Sequence, residues 1–178
     1  NNPLFYPLDA ATSTILCVHP GLLEDALPGD GRVTAKFAER VNNPITDANL
    51  VDQGTGTVIV GQYQDGRWAS NTSSIPMIRN EELLLIYAEA QARQGGDAVS
   101  AINTIRNIWG VGNYTGGTST DELIDEILFQ LRYSLWLEGH RWVDLRRLGR
   151  LDQIDTREGG TIYTQVERRV SEISWDEG

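Results

Sequence analysis

The 178-residue sequence predicts a mainly α-helical fold, built of antiparallel helix pairs that follow an irregular, loop-rich first half. Three observations carry this. Pro3, Pro7, Pro20, Pro28 and Pro44 are interleaved with Gly29-Asp30-Gly31, Gly54-Thr55-Gly56 and Asp65-Gly66, so regular elements before residue 75 must be short. Beyond Pro76 no proline occurs, and apolar residues recur at spacings of three and four. Helix start and stop signals then alternate along the rest of the chain. Residues 1–74 are therefore expected to form a loop-rich, ligand-facing segment packed on the helices of residues 75–178, the two together making one domain.

Within the first segment, Thr34 to Val41 suits a short helix with Phe37 and Val41 on one face, stopped by Asn43-Pro44. Thr57-Val58-Ile59-Val60 and Arg67-Trp68-Ala69 suit the two arms of a small β-hairpin, with Asp65-Gly66 at its turn. In the second segment the first helix is expected to start with Asn80 as its cap, Glu81 and Glu82 lying at the positive end of the helix dipole, and to end at Gly95-Gly96. Asp97 caps the next, whose stripe of Ala98, Ala101, Ile102, Ile105, Ile108 and Trp109 opposes Ser100, Asn103, Arg106 and Asn107. So short a turn forces these two helices antiparallel.

Gly110 to Gly117 reads as a loop, and Ser119 with Glu122 as a capping box opening the third helix. Leu123, Ile127, Leu131 and Leu135 form one apolar ridge of that helix and Phe129, Tyr133 and Trp136 a second, so it belongs at the centre. Gly139 stops it, and Trp142, Leu145 and Leu148 mark a last short helical turn.

Composition excludes several functions. A net charge of −10 repels a phosphate backbone, so nucleic acid is not an expected partner. One cysteine, Cys17, precludes an internal disulfide and reads as a small buried apolar group. Two histidines and one cysteine are too few for a zinc site, and neither His19 nor His140 has a nucleophile nearby in sequence. No glycine-rich loop opens a helix after a strand, so no nucleotide cofactor is expected. No run of about 20 apolar residues spans a bilayer. Carboxylates are plentiful: Glu24 with Asp25, or Asp47 with Asp52, are nominal glycosidase pairs, whereas Asp121, Glu122, Asp125 and Glu126 suit helix-dipole compensation.

Two groups admit both a binding and a structural reading. Glu138, Arg141, Asp144, Arg146 and Arg147 suit either an anion site or an ion-pair network with alternating signs at helical spacing. Tyr63, Arg67, Trp68 and Asn71, among Gln62, Gln64 and Asp65, supply the flat aromatic face and amide and carboxylate partners that a sugar needs; equally, the two aromatics suit anchors onto the helices. Phe5 and Tyr6 are a lesser aromatic candidate.

Three stretches occur in order: Ile75-Pro76-Met77-Ile78-Arg79-Asn80-Glu81-Glu82-Leu83-Leu84-Leu85-Ile86-Tyr87-Ala88-Glu89-Ala90, then Ile102-Asn103-Thr104-Ile105-Arg106, then Leu137-Glu138-Gly139-His140-Arg141-Trp142-Val143-Asp144-Leu145-Arg146-Arg147. Together they resemble the C-terminal region of the SusD/RagB family, and Gly29-Asp30-Gly31-Arg32 echoes an upstream Asp-x-Arg element of it. The resemblance implies a SusD-like helical scaffold, preceded in the family by a lipidated cysteine and tetratricopeptide-like helix pairs, so that this chain is the final part and Cys17 is no anchor. It implies a surface-exposed outer-membrane lipoprotein that presents oligosaccharide or another nutrient to a SusC-like TonB-dependent transporter, without catalysis, cofactor or metal. Arg79, Glu89, Arg106, Glu138, Arg141 and Asp144 then fall in the motifs as residues that hold helices together.

Gln130 and Ser134 stand where the family usually carries acidic residues, and Val170-Ser171-Glu172-Ile173 replaces its customary tail. Glycan contacts follow no family motif, so Trp68, Tyr63, Arg67 and Asn71 rest on chemistry alone. A helical-repeat scaffold for a protein partner and a glycoside hydrolase fragment are the rival readings.

Overall fold

The computed structural model describes residues 2–11 and 16–165. Their element order is α1 (Pro20–Glu24), α2 (Gly31–Lys36), β1 (Phe37–Glu39), β2 (Ile45–Val51), β3 (Val58–Gly61), β4 (Tyr63–Asp65), α3 (Asn80–Gln94), α4 (Ala98–Ile108), α5 (Thr120–Ser134) and α6 (Arg141–Arg147), with a 3-10 turn at Leu151–Gln153. The protein is mainly helical, with small antiparallel strand pairs in its first half.

α3 and α4 form an antiparallel hairpin because Gly95 takes the left-handed conformation, φ 70°, closing α3 two residues before the Asp97 cap, whose carboxylate accepts from the Ser100 amide at 3.0 Å. The cap of α3 differs from expectation. Asn80 is its first helical residue and Arg79 its cap, with no side-chain cap bond, because a guanidinium has only donors and cannot accept from the free amides; the Arg79 side chain pairs with Glu138. α5 opens on the full capping box of Ser119 and Glu122. α3, α4 and α5 enclose an aliphatic core in which Ala88, Ile102, Ile105, Ile127, Leu128 and Leu145 have no exposed surface. Burying each of the larger aliphatic side chains is worth about 1.5–3 kcal/mol. Ile108 does not join this stripe: it is exposed at the frayed end of α4, while Arg106 from the opposite face is buried. Arg106 folds over to donate to the Gly112 carbonyl at 2.9 Å and to pair with Glu126 at 2.7 Å.

The second ridge of α5 covers the first half. Tyr133 and Trp136 are buried with Val18, Leu22 and Phe37, and the Phe37 and Trp136 rings meet edge to face at 4.8 Å. The helix expected over Thr34–Val41 is displaced: it runs from Gly31 to Lys36 on an Asp30 cap, and Phe37 turns into strand, leaving Val41 exposed. The hairpin is also re-partnered. Val58–Gly61 pairs with Ile45–Val51, not with Arg67–Ala69, and the turn uses Gly56 at φ 71°. Tyr63–Asp65 instead pairs with Phe37–Glu39.

Charged side chains complete the junction. Arg32 is wholly buried, paired with Asp30 at 2.7 Å, and donates to the Gln130 carbonyl and the Ser134 hydroxyl of α5. Lys36 donates to the Tyr133 and Ser134 carbonyls, both at 2.6 Å, where the free carbonyls at the end of α5 would otherwise be unsatisfied. Arg40, also wholly buried, gathers the Ala10 carbonyl, the Asn43 carbonyl and the Gln64 side chain. Val170 to Ile173, where the tail departs from the family pattern, lie outside the described residues.

Candidate functional site

The aromatic cluster is built around the Asp65 carboxylate at the end of β4. It accepts from the Arg67 amide at 3.0 Å, from the Arg67 guanidinium at 2.9 and 2.7 Å, and from the Trp68 indole N–H at 2.9 Å. The Arg67 guanidinium therefore lies 5.0 Å from the Trp68 ring centre and 5.3 Å from that of Trp136. Its remaining arm pairs with Glu138 at 3.1 Å, and Glu138 also receives Arg79 at 2.6 Å. One polar chain thus joins Trp68, Asp65, Arg67, Glu138 and Arg79 across three segments.

Of the four nominated ligand-contact residues, Arg67 and Trp68 are brought into direct contact, and their polar groups point to protein partners. Tyr63 is half-buried against the second core, with its carbonyl accepting from Val18 at 2.8 Å. Asn71 is exposed; its carbonyl accepts from the Asn2 amide, and its side-chain amide makes no hydrogen bond among the described residues. Of the surrounding polar groups, Gln64 is 1% exposed and spent on Arg40 and on the Tyr6 and Pro7 carbonyls. With the Arg67 guanidinium over one face of the Trp68 ring, the other face is left to meet a ligand in the way a sugar requires.

The remaining motif residues lie at helix junctions. Glu89 of α3 accepts both arms of Arg147 at 2.7 Å, and Arg147 also meets Asp144 at 2.9 Å. The Arg147 guanidinium is what holds the Glu89 carboxyl below its usual range, burial acting the other way. Arg141 spans from α6 to the Leu128 carbonyl at 3.3 Å and the Gln153 carbonyl at 3.5 Å. Arg146 lies over the Trp142 ring and donates to the Thr164 carbonyl.

The nominal glycosidase carboxylates have other employment. Glu24 and Asp25 pair with Arg157 and Arg132, while Asp47 and Asp52 cap their own turns. His19 accepts from the Gly21 amide at 3.1 Å, capping α1, and its other ring nitrogen meets Glu158. Cys17 is half-buried, and burial pushes its thiol up. Sequence reasoning missed the buried polar set Asp30, Arg32, Lys36 and Arg40. The available signals were the Asp-x-Arg spacing and the fact that Lys36 is the chain's sole lysine. No helix among the described residues is long and apolar enough to cross a membrane.

A model described as the SusD family matches residues 42–176. Among solved structures, the chain is similar to a SusD superfamily protein from Bacteroides vulgatus ATCC 8482, at 22% identity and a TM-score of 0.54, over 80% of this chain and 37% of that one. It is also similar to NanU of B. fragilis, at 22% identity and a TM-score of 0.49, over 79% of this chain and 33% of that one. The chain thus spans about a third of the length of either. No curated protein matches it. With three quarters of its residues inside the match, the chain belongs to the SusD family.

Proposed function

We propose that this chain is part of a non-catalytic binding component of outer-membrane nutrient uptake, presenting an oligosaccharide to a SusC-like TonB-dependent transporter. The supporting observation is the family match over residues 42–176. On this reading the helices are the scaffold, and the protein is held at the cell surface by a lipid anchor outside this sequence. Trp68 offers a ring face to the sugar, Arg67 and Asp65 fix that ring, and Tyr63 and Asn71 flank it. Of the motif residues, Glu89 and Asp144 hold Arg147 between α3 and α6, and Arg79, Arg106, Glu138 and Arg141 join helices to neighbouring loops or turns.

A glycan array probed with the chain and with Trp68→Ala, both checked by circular dichroism, tests this. Binding should fall about tenfold or more in the variant, because a stacked aromatic face is removed. Equal binding by the two folded proteins would move the site away from Trp68.

A second reading, a helical-repeat scaffold for a protein partner, is favoured by one feature. Leu83, Ile86 and Tyr87 are each more than half exposed on one face of α3, with Ile78 and Met77 just before it. Failure of every glycan to bind, with an Ile86→Glu variant losing association with a co-expressed transporter, would select this reading.

A further inference from the structure

A cavity of about 420 Å³ opens between α5, α6 and α1, apart from the Trp68 loop. Its walls are hydrocarbon and aromatic: Leu128 and Leu131 of α5, Leu135 at its C-terminal cap, Leu22 of α1, and the indoles of Trp136 and Trp142. This is the size and character of a small-molecule site, which is mostly apolar with a few placed polar groups. The turn that forms one wall contains Leu137 at φ 60°, a left-handed conformation costly for a side chain of this kind, followed by Gly139 at φ 81°.

The charged groups at the rim are almost all neutralised. Arg132 pairs with Asp25 at 2.6 Å, Asp144 with Arg147 at 2.9 Å, Asp155 with Arg157 at 2.8 Å, and His19 with Glu158 at 2.5 Å. His140 lies 3.9 Å from Glu82. Arg141 is the exception. It has no carboxylate in ion-pair range among the described residues, only the two long bonds to the Leu128 and Gln153 carbonyls. Five N–H groups in a planar fork leave it with spare donors on the cavity it lines. Burial, with the nearby Arg132 charge, pulls its pKa down to about 10 against the opposing pull of Asp144 and Asp25, so it stays charged at neutral pH.

We propose that this cavity binds a small amphipathic carboxylate, with its apolar body against the leucines and indoles and its carboxylate on Arg141. The alternating charges around Glu138 to Arg147 thus divide: Glu138, Asp144 and Arg147 are occupied with one another or with α3 and Arg67, Arg146 lies over Trp142 and does not line the cavity, and Arg141 is the cavity-lining arginine without a carboxylate in ion-pair range among the described residues. This site is independent of glycan binding at Trp68 and does not require it.

Saturation-transfer NMR and titration calorimetry with 3-phenylpropionate, set beside the neutral 3-phenylpropanol, test it on the unaltered chain. The acid should bind in the millimolar range expected of so small a ligand and about tenfold more tightly than the alcohol, because a charge-assisted pair is made only by the acid. Arg141→Gln should erase that preference, Arg141→Lys should keep part of it, and Ile154→Trp, which fills the cavity, should abolish binding of both. If the Arg141 variants do not fold, the acid-to-alcohol ratio on the unaltered chain and the Ile154→Trp result decide. Absence of acid binding, equal binding of acid and alcohol, or full binding by Ile154→Trp overturns the proposal.

Discussion

Between α3 and α6 the interior is almost wholly hydrocarbon, whereas the segment before residue 75 reaches the interior largely through charged and amide side chains. Among the described residues, sixteen of the twenty buried hydrophobic ones lie in the helical part, and seven of the eleven buried polar ones, Asn2, Asp30, Arg32, Lys36, Arg40, Gln64 and Asp65, lie in the first part. The two regions therefore respond to different insults. Hydrocarbon burial is non-directional and roughly proportional to area, so losses there are graded. A buried ion held by one partner fails abruptly when the partner goes.

The largest effect should follow Asp30→Ala. Arg32 would remain at zero exposure with its counter-charge gone, and the α2 cap would be lost with it. Breaking a buried pair in this way costs about 3–5 kcal/mol, read as a fall in the free energy of urea unfolding followed by tryptophan fluorescence. Ile105→Ala, in the centre of the aliphatic core, should cost about 3 kcal/mol through lost transfer energy and the cavity left behind. If Asp30→Ala costs much less than Ile105→Ala, the first segment is not held by its buried ions and the contrast fails.

Lys36 sharpens the contrast through pH. Burial lowers its pKa from 10.5 to about 8, so in the folded protein the charge is a cost that the unfolded chain does not bear. That cost is fully present below pH 8 and is relieved as pH rises towards 10.5, because there the unfolded state binds more protons. Tyr133 works the other way: burial pushes it up to about 12, so its contribution falls as pH rises past 10. Comparison with Lys36→Met isolates the lysine. Between pH 7 and pH 10 the unaltered protein should gain about 2 kcal/mol relative to the variant. No relative gain would mean that the two carbonyls at the end of α5 compensate the ammonium fully.

The same division explains what was legible in the sequence. Helices α3 to α6 announce themselves because period, cap and glycine stop are all local: Ser119 with Glu122, and Gly95 after Gln94, sit within one turn of what they control. The first half is specified by distant partners. Three-residue strands such as Phe37–Glu39 carry no periodicity, and their pairing with Tyr63–Asp65 depends on Arg40 reaching Gln64 beneath them. Arg32 and Lys36 look like surface residues until α5 supplies carbonyl and hydroxyl acceptors nearly a hundred positions later. At the candidate site, the grouping of Arg67 with Trp68 could be read from adjacency, but the contributions of Trp136 and Glu138 could not.

The smallest effect should come from Arg150, and it bears on whether burial rather than charge count sets the difference. Arg150 makes two good ion pairs, to Asp125 at 2.9 Å and Asp121 at 3.0 Å, in number comparable to the bonds of Arg32. Both acceptors are open to solvent, Asp121 at 85% exposure, so water replaces whatever the guanidinium leaves. Arg150→Gln should leave the urea midpoint of unfolding unchanged, with or without 0.5 M salt, because water and ions screen so exposed a pair. Arg32 makes the same kind of bonds to Asp30 with no solvent to fall back on. A loss at Arg150 that matched the loss at Asp30 would mean that the ion pairs of the helical part also bear its stability, and that the hydrocarbon core is not sufficient to hold α5 and α6 together.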